Sequence, residues 1–253
     1  MSLEPMLIVS DAHRPYHDKA AWRLMLQAAK ALKPKHLVII GDFCDFYSVS
    51  DHQKDPARVN KLEAEVKDVR KGLDELDALG ATNKIYIAGN HEDRLTRYLQ
   101  SKAPELFGMI SIPAVLGLDQ RGWKYTPYKS ATKVGKMWFT HDVGVAGRNS
   151  SFKAMDKFQH SVVTGHAHRM QYIVEGNAIG ECKLSAQFGW LGDASKVDYM
   201  QRINVNTDWA LGFGVASVNP TSGIVYVTPV PVVPVGSRYT CVVNGRLFEE
   251  RKR

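Results

Sequence analysis

Met6-Leu7-Ile8-Val9-Ser10-Asp11-Ala12-His13, answered thirty residues later by His36-Leu37-Val38-Ile39-Ile40-Gly41-Asp42, decides the fold. Met6 to Val9 is a short apolar run and reads as a buried strand with a polar loop at its C-terminal end. Ala20 to Leu32 is rich in Ala, Leu, Met and Lys, all good helix formers, and Pro34 stops it. His36 to Ile40 is the second apolar run. A strand–helix–strand opening of this kind predicts a parallel sheet with right-handed crossovers, and so an α/β chain. Asp11 and His13 stand two apart, so in extended chain both project to one side.

Downstream the pattern repeats. Val59, Leu62, Val66, Val69, Leu73, Leu76 and Leu79 recur at spacings of three and four, which predicts an amphipathic helix that Gly72 weakens and Gly80 ends. Ile85 to Ala88 is a third strand running into Gly89-Asn90-His91-Glu92. Glu92 and Asp93 fall in the first turn of the next helix, where negative charge suits the helix dipole. Pro104 to Leu118 is irregular and contains Pro113. From Trp123 the character changes to short strands: Trp123 to Tyr128, Thr132 to Val134, and Met137 to Thr140, the last ending in His141-Asp142. Asn149 to Phe158 reads as a short helix. Ser161 to Thr164 is a strand that ends in Gly165-His166-Ala167-His168-Arg169. Two hairpin signals follow, Asn219-Pro220-Thr221-Ser222-Gly223 between apolar runs and the Asn244-Gly245 turn. The chain opens in βαβ style and finishes strand-rich.

The 253 residues suffice for a sizeable core and are read as one domain over 1–253. An apolar fraction of 44% and a charged fraction of 23% exclude wholesale disorder. The apolar runs are too short to span a bilayer, and no secretory signal opens the chain, so no membrane partner is expected. Cys44, Cys182 and Cys241 are odd in number, widely spaced and without a C-x-x-C pair. That argues against a disulfide framework or a thiolate zinc site, and for a reducing, cytoplasmic setting. The net charge of +7 favours an anionic partner, with nucleic acid one candidate, although part of the excess sits in the tail Arg246, Arg251, Lys252 and Arg253. The oligomeric state is left open, a homo-oligomer included.

Five short blocks each follow an apolar run: Asp11-x-His13, Gly41-Asp42, Gly89-Asn90-His91-Glu92, His141, and Gly165-His166-x-His168. All five are expected at one rim of the sheet, because open α/β sheets place ligand sites at the C-terminal ends of their strands. Carboxylate, imidazole and amide without thiolate suit Mn, Fe, Zn, Co or Ni better than Ca or Mg alone. There are too many donors for one ion, so two are expected. A carboxylate can bridge a pair about 3.5–4 Å apart, an arrangement suited to phosphate-ester hydrolysis.

These blocks, in this order, resemble the D-x-H, G-D, G-N-H-[DE], H and G-H-x-H blocks of the calcineurin-like metallophosphoesterase superfamily, over residues 6 to 170. The resemblance implies a four-layer αββα sandwich, two mixed sheets flanked by helices. It implies that Asp11, His13, Asp42 and His168 hold one divalent metal and that Asp42, Asn90, His141 and His166 hold the other, with Asp42 bridging and Mn favoured. It also implies that His91 protonates the leaving oxygen or stabilises its charge, with Asp45 as its orienting partner. Protein serine/threonine phosphatases of the superfamily carry G-D-x-x-D-R-G, whereas Gly41-Asp42-Phe43-Cys44-Asp45-Phe46-Tyr47 has no arginine. Small cyclic-nucleotide phosphodiesterases often replace the G-N-H histidine by cysteine. The retained His91 is similar to the nuclease branch, where a poor alkoxide leaving group needs a proton. Gly189-Trp190-Leu191-Gly192-Asp193 with Asp198-Tyr199-Met200 is similar to bacteriophage-encoded members.

The expected activity is therefore a binuclear-metal phosphodiesterase, a nuclease or nucleotide phosphodiesterase acting on an anionic phosphoester. The rivals are a phosphomonoesterase and a nucleic-acid-binding protein with a vestigial site. Arg14, Arg94 and Arg169, each beside a block, are candidate phosphate contacts through the planar guanidinium fork. Trp190, Phe43, Phe46 and Tyr47 are read either as stacking surfaces for nucleobases or as packing beneath a loop. His17, His36, His52 and His160 lie outside the blocks and read as surface or packing residues, with His52, in the loop after Asp42, the one to watch.

Overall fold

The computed structural model describes residues 2–52, 54, 61–196 and 208–252. Val59 and Asp198-Tyr199-Met200 lie outside the described residues. The opening unit is β1 (Glu4–Val9), α1 (Lys19–Leu32) and β2 (His36–Ile40), the two strands parallel with Met6 opposite His36 and Val9 opposite Ile39. α1 starts where it does because the Asp18 carboxylate accepts from the Ala20 and Ala21 amides at 2.9 and 3.0 Å. It stops at Lys33, which takes a left-handed backbone just before Pro34.

The chain continues through α2 (Leu62–Asp77), β3 (Asn83–Ile87), α3 (Asp93–Lys102), α4 (Ile112–Leu116) and β4 (Trp123–Thr126). β5 (Thr132–Val134), β6 (Met137–Thr140), α5 (Ser150–Phe158), β7 (Val162–Thr164), β8 (Met170–Gly176) and β9 (Cys182–Phe188) come next. The last strands are β10 (Gly212–Val218), β11 (Val225–Pro231), β12 (Val233–Val235), β13 (Arg238–Val243) and β14 (Arg246–Arg251). One mixed sheet has the order β11-β10-β1-β2-β3-β4, a second the order β5-β6-β7-β9-β8. Strands β1 to β4 run parallel, as do β6, β7 and β9. These are the two mixed sheets expected.

Alternation along the strands divides the core in two. Leu7, Val9, Leu37 and Ile39 join the apolar residues of α1 and α2, whereas Met6, Ile8, Val38 and Ile40 meet Phe139, Val163 and Phe188 of the second sheet. A strand covered on both faces must be apolar at every position, and for that reason these runs show no polar alternation. Each such side chain contributes about 1.5–3 kcal/mol by leaving water.

Two features depart from the sequence expectation. Pro104 to Leu118 is not wholly irregular, since α4 forms within it. Ser111 Oγ accepts from Ala114 N at 3.4 Å, and Pro113 sits in the first turn, where its missing N–H costs nothing. A third, antiparallel sheet of β12, β13 and β14 also covers α1. Its Cys241, Val243 and Phe248 enter the helix-side core, while Glu250 takes Arg23 at 3.0 Å and Gln27 at 2.6 Å. The turn between β13 and β14 is the Asn244-Gly245 pair with φ of 51° and 75°, the left-handed pair a two-residue hairpin requires. No described helix is long and apolar enough to cross a membrane. All three cysteines are free thiols.

Candidate metal centre

The five blocks all sit at C-terminal strand ends: those after β1, β2 and β3 on one sheet, those after β6 and β7 on the other. The loops hold one another by their main chains. Asp11 N–H donates to Gly41 O at 3.2 Å, His13 N–H to Asp42 O at 2.9 Å, and Gly165 N–H to His141 O at 2.8 Å. His166 N–H donates to the Asp11 carboxylate at 3.0 Å. A Cβ on Gly89 would collide with the Asp42 carboxylate, so only glycine lets these two loops come so close.

Of the ten described non-glycine residues with left-handed backbone, five are candidate ligands: Asp11, His13, Asp42, His166 and His168, with φ between 47° and 67°. Such a conformation costs about 1–3 kcal/mol per residue and persists only where the surroundings enforce it. Its concentration here turns the five side chains inward.

Among the described residues, three groups of side chains converge. In the first, His13 Nε2 lies 3.1 Å from His168 Nε2, which lies 3.3 Å from Asp11 Oδ1. In the second, His141 Nε2 lies 3.2 Å from Asp42 Oδ2 and 3.0 Å from Asn90 Oδ1, with His166 completing the set. The third is His13 with Asp45 and His91, and it is not a good cation site: Arg94 Nη1 stands 2.8 Å from Asp45 Oδ1 and Nη2 3.2 Å from His91 Nε2. His91 and Asp45 instead form a hydrogen-bonded pair, Nδ1–H donating to Oδ1 at 2.6 Å.

The electrostatics follow from this crowding. Burial and the neighbouring His91 and His168 hold His13 down to about 3, leaving its lone pair free for a cation. Burial disfavours a charged His141, but Asp42 outweighs it and lifts the group to about 10. A cation bound there must displace that proton. Burial works against a charged Asp45, yet His91 and Arg94 pull it down to about 2. Burial likewise opposes the His91 cation, and Asp42 and Asp45 reverse the sign and raise it.

Glu92 proves to be far more than a favourable charge at a helix start. It is fully buried. Its Oε2 accepts from Asp42 N at 2.9 Å and Gly89 N at 2.7 Å, and its Oε1 from Phe43 N and Cys44 N, both at 2.9 Å, and from Tyr86 Oη at 2.8 Å. Five donors on two oxygens favour the anion. Burial and nearby Asp42 push its pKa up, and these donors oppose them. The carboxylate thereby ties the Gly41-Asp42 loop to the Gly89-Asn90 loop. Its acceptor role was signalled only by the acidic fourth position of the G-N-H-[DE] block.

The arginines divide. Arg94 is at the site, its guanidinium joining Asp45 and His91. Arg169 is near it, paired with Asp208 at 2.6 Å. Arg14 is a correction: its side chain is 2% exposed, bonded to Asp68 at 2.9 Å and laid over Trp22, in the room that Gly72 leaves on α2. It anchors α2 to the first loop and does not reach the rim. Trp190, Phe43 and Phe46 are buried, which favours packing over a nucleobase platform. His17 and His36 are buried and His52 exposed, all outside the converging groups.

Comparison with known proteins agrees with this geometry. Two phage proteins are similar over nearly the whole length: the Gene 54 proteins of Mycobacterium phage L5, 25% identical, and of Mycobacterium phage D29, 26% identical. Each alignment covers 96% of this chain and 98% of the relative. In fold, Chaetomium thermophilum Vps29 matches with a TM-score of 0.50 at 11% identity, over 99% of this chain and 100% of that one. The family model described as calcineurin-like phosphoesterase matches residues 5–168, the span that carries all five blocks. The chain belongs to the calcineurin-like phosphoesterase family.

Proposed function

We propose that this metallophosphoesterase is a binuclear-metal phosphodiesterase of the cytoplasm, one domain over residues 1–253, acting on nucleic acid or nucleotides. The observation that carries the reading is the juxtaposition of the Asp11–His13–His168 and Asp42–His141–His166 groups with the His91–Asp45 pair beside them. The donors fit divalent cations: two carboxylates, an amide and four imidazoles, with no thiolate. Asp11, His13 and His168 would hold one ion, and Asn90, His141 and His166 the other, with Asp42 shared. Mn is favoured, with Fe, Zn, Co or Ni as alternatives. Bound there, the cations supply charge that polarises phosphoryl oxygens and lowers the pKa of water.

The remaining work falls to this chain's own residues. Asp45 accepts the Nδ1–H of His91 and so fixes its ring, leaving Nε2, 3.9 Å from Asp42 Oδ2, to deliver a proton to the departing alkoxide. Arg94, anchored on Asp45 by Nη1, offers Nη2 beside that same nitrogen, where a phosphoryl oxygen would arrive. Arg169 is the second candidate phosphate contact, reached if substrate displaces Asp208. A protonating histidine matters most for an alkoxide leaving group, and residues 41–47 hold no arginine to grip a monoester, so both features favour diesters.

Side-by-side turnover of bis-aryl and mono-aryl phosphates by Mn-loaded protein tests the reading, followed by single- and double-stranded DNA, RNA and cyclic nucleotides. Preference for the diester is expected. A clear preference for the monoester would replace it with a phosphomonoesterase. DNA binding indifferent to chelator, with no hydrolysis of any substrate, would mark the site as vestigial.

A further inference from the structure

The segment Gly189-Trp190-Leu191 supplies no ligand to either group, yet it is built into them. Trp190 N–H donates to Ala210 O at 3.0 Å, Trp190 O accepts from Gly212 N at 2.9 Å, and Leu191 N–H donates to Asp11 O at 3.0 Å. The Trp190 indole is 3% exposed and stacks on His168, ring centroids 4.9 Å apart and planes 12° from parallel. It presents an edge to His13 at 6.2 Å. Trp209 closes the box, 4.2 Å from His168 and 4.9 Å from Trp190.

These rings do for His168 what a hydrogen bond does for His141 in the other group. His141 Nδ1 lies 2.8 Å from Ile40 O, and that bond sets its ring. His13 Nδ1 and His168 Nδ1 are buried with no hydrogen-bond partner among the described residues. A ligating imidazole is ordinarily oriented by an acceptor on its second nitrogen. Without one, the terminal ring torsion is broad and two-fold, and only packing can hold it. The stacked indole provides that packing across the whole face of His168.

We propose that Trp190 is a positioning residue: it holds the His168 imidazole, and His13 beside it, in the orientation that the Asp11–His13–His168 group needs to bind a divalent cation. The inference rests on the metal reading above. Its consequence is asymmetry, because His141 in the Asp42 group is set by a hydrogen bond to Ile40 and His168 by ring packing. Loss of the indole weakens one of the two ions and spares the other.

Mn(II) titration of purified full-length protein, followed by calorimetry and by electron paramagnetic resonance, tests this in the wild type, W190F and W190L, alongside the melting temperature without added metal. The wild type should take two ions. W190L should bind one as the wild type does and the other about 10-fold to 100-fold more weakly, the range typical for lost ligand-orienting contacts. W190F, which keeps a ring, should restore most of the difference. Two ions at wild-type affinity in W190L would overturn the proposal alone. Equal weakening of both sites, with W190F no better, would assign Trp190 a purely structural part and overturn it too. A wild type that binds no Mn would overturn the metal reading and this inference with it. Should W190L fail to fold, W190M, unbranched, flexible and without a ring, is read by the same criterion.

Discussion

His91 and Asp42 are separated by 3.9 Å, but they answer to different physics. Asp42 sits among imidazoles whose nitrogens it would share with a cation, so Asp42→Asn removes the charge that recruits the ion. His91 has its Nδ1 committed to Asp45 and the fixed positive charge of Arg94 beside its Nε2, so the ring is a poor place for a metal ion. His91→Gln should therefore keep metal content at the wild-type level while lowering kcat by about 100-fold to 10,000-fold, the usual worth of a positioned acid. Asp42→Asn should lower both. Metal analysis on the same preparations used for kinetics checks this, and loss of both ions in His91→Gln would mean that His91 is a ligand.

At the scale of elements, α2 carries a cost of its own. Glu65 is fully buried; its Oε1 accepts from Ser48 N at 2.9 Å, while its Oε2 finds no partner among the described residues. Burial raises its pKa to about 7, against an ordinary value of 4.5. The folded state thus holds this proton more tightly than the unfolded chain. Its contribution to stability is complete below about pH 4.5 and is lost as pH rises through 7. The difference amounts to about 3 kcal/mol for one fully shifted group. Urea unfolding at pH 5 and pH 8 should show Glu65→Gln losing less stability than the wild type between the two. Parallel pH profiles would show that Glu65 stays ionised in the native protein. On the same helix, Gly72 weakens the intrinsic propensity and in return admits the Arg14 guanidinium, a trade visible only once α2 meets the first loop.

Across the whole molecule, the ligand groups draw on loops after β1, β2 and β3 of one sheet and after β6 and β7 of the other. Cations held there would link the two sheets in the native state and would have no comparable site in the unfolded chain. Mn at one hundred times its Kd should add about 2.7 kcal/mol per site. For a chain of this length that raises Tm by roughly 5–10 °C, reversibly on adding chelator. A thermal-shift series with Mn, Zn and Co that leaves Tm unmoved would count against metal binding at this rim. The third sheet, β12 to β14, lies on α1 and carries none of the blocks, so its contribution is to cover the helix-side core.

What the sequence determined by itself is local and periodic. The apolar runs of β1, β2 and β3, the α1 composition with its stop at Pro34, the Asn244-Gly245 turn and the order of the five blocks all follow from short-range preferences. The family resemblance rests on those blocks, and the match over residues 5–168 bears it out. What only the tertiary structure decided is where side chains end that many partners compete for. Arg14 stands beside a block in sequence but turns away to Asp68, because burying an arginine requires an anion and α2 supplies one. Glu92 looks like a helix-start charge until four amides from two loops and a tyrosine close on it. Trp190 reads in sequence only as a stacking surface or a packing residue, and its partner is hidden there, since stacking on His168 depends on a contact between residues 22 positions apart on different loops. Periodicity reports the face a residue occupies; only the closed sandwich reports which charges and rings meet there.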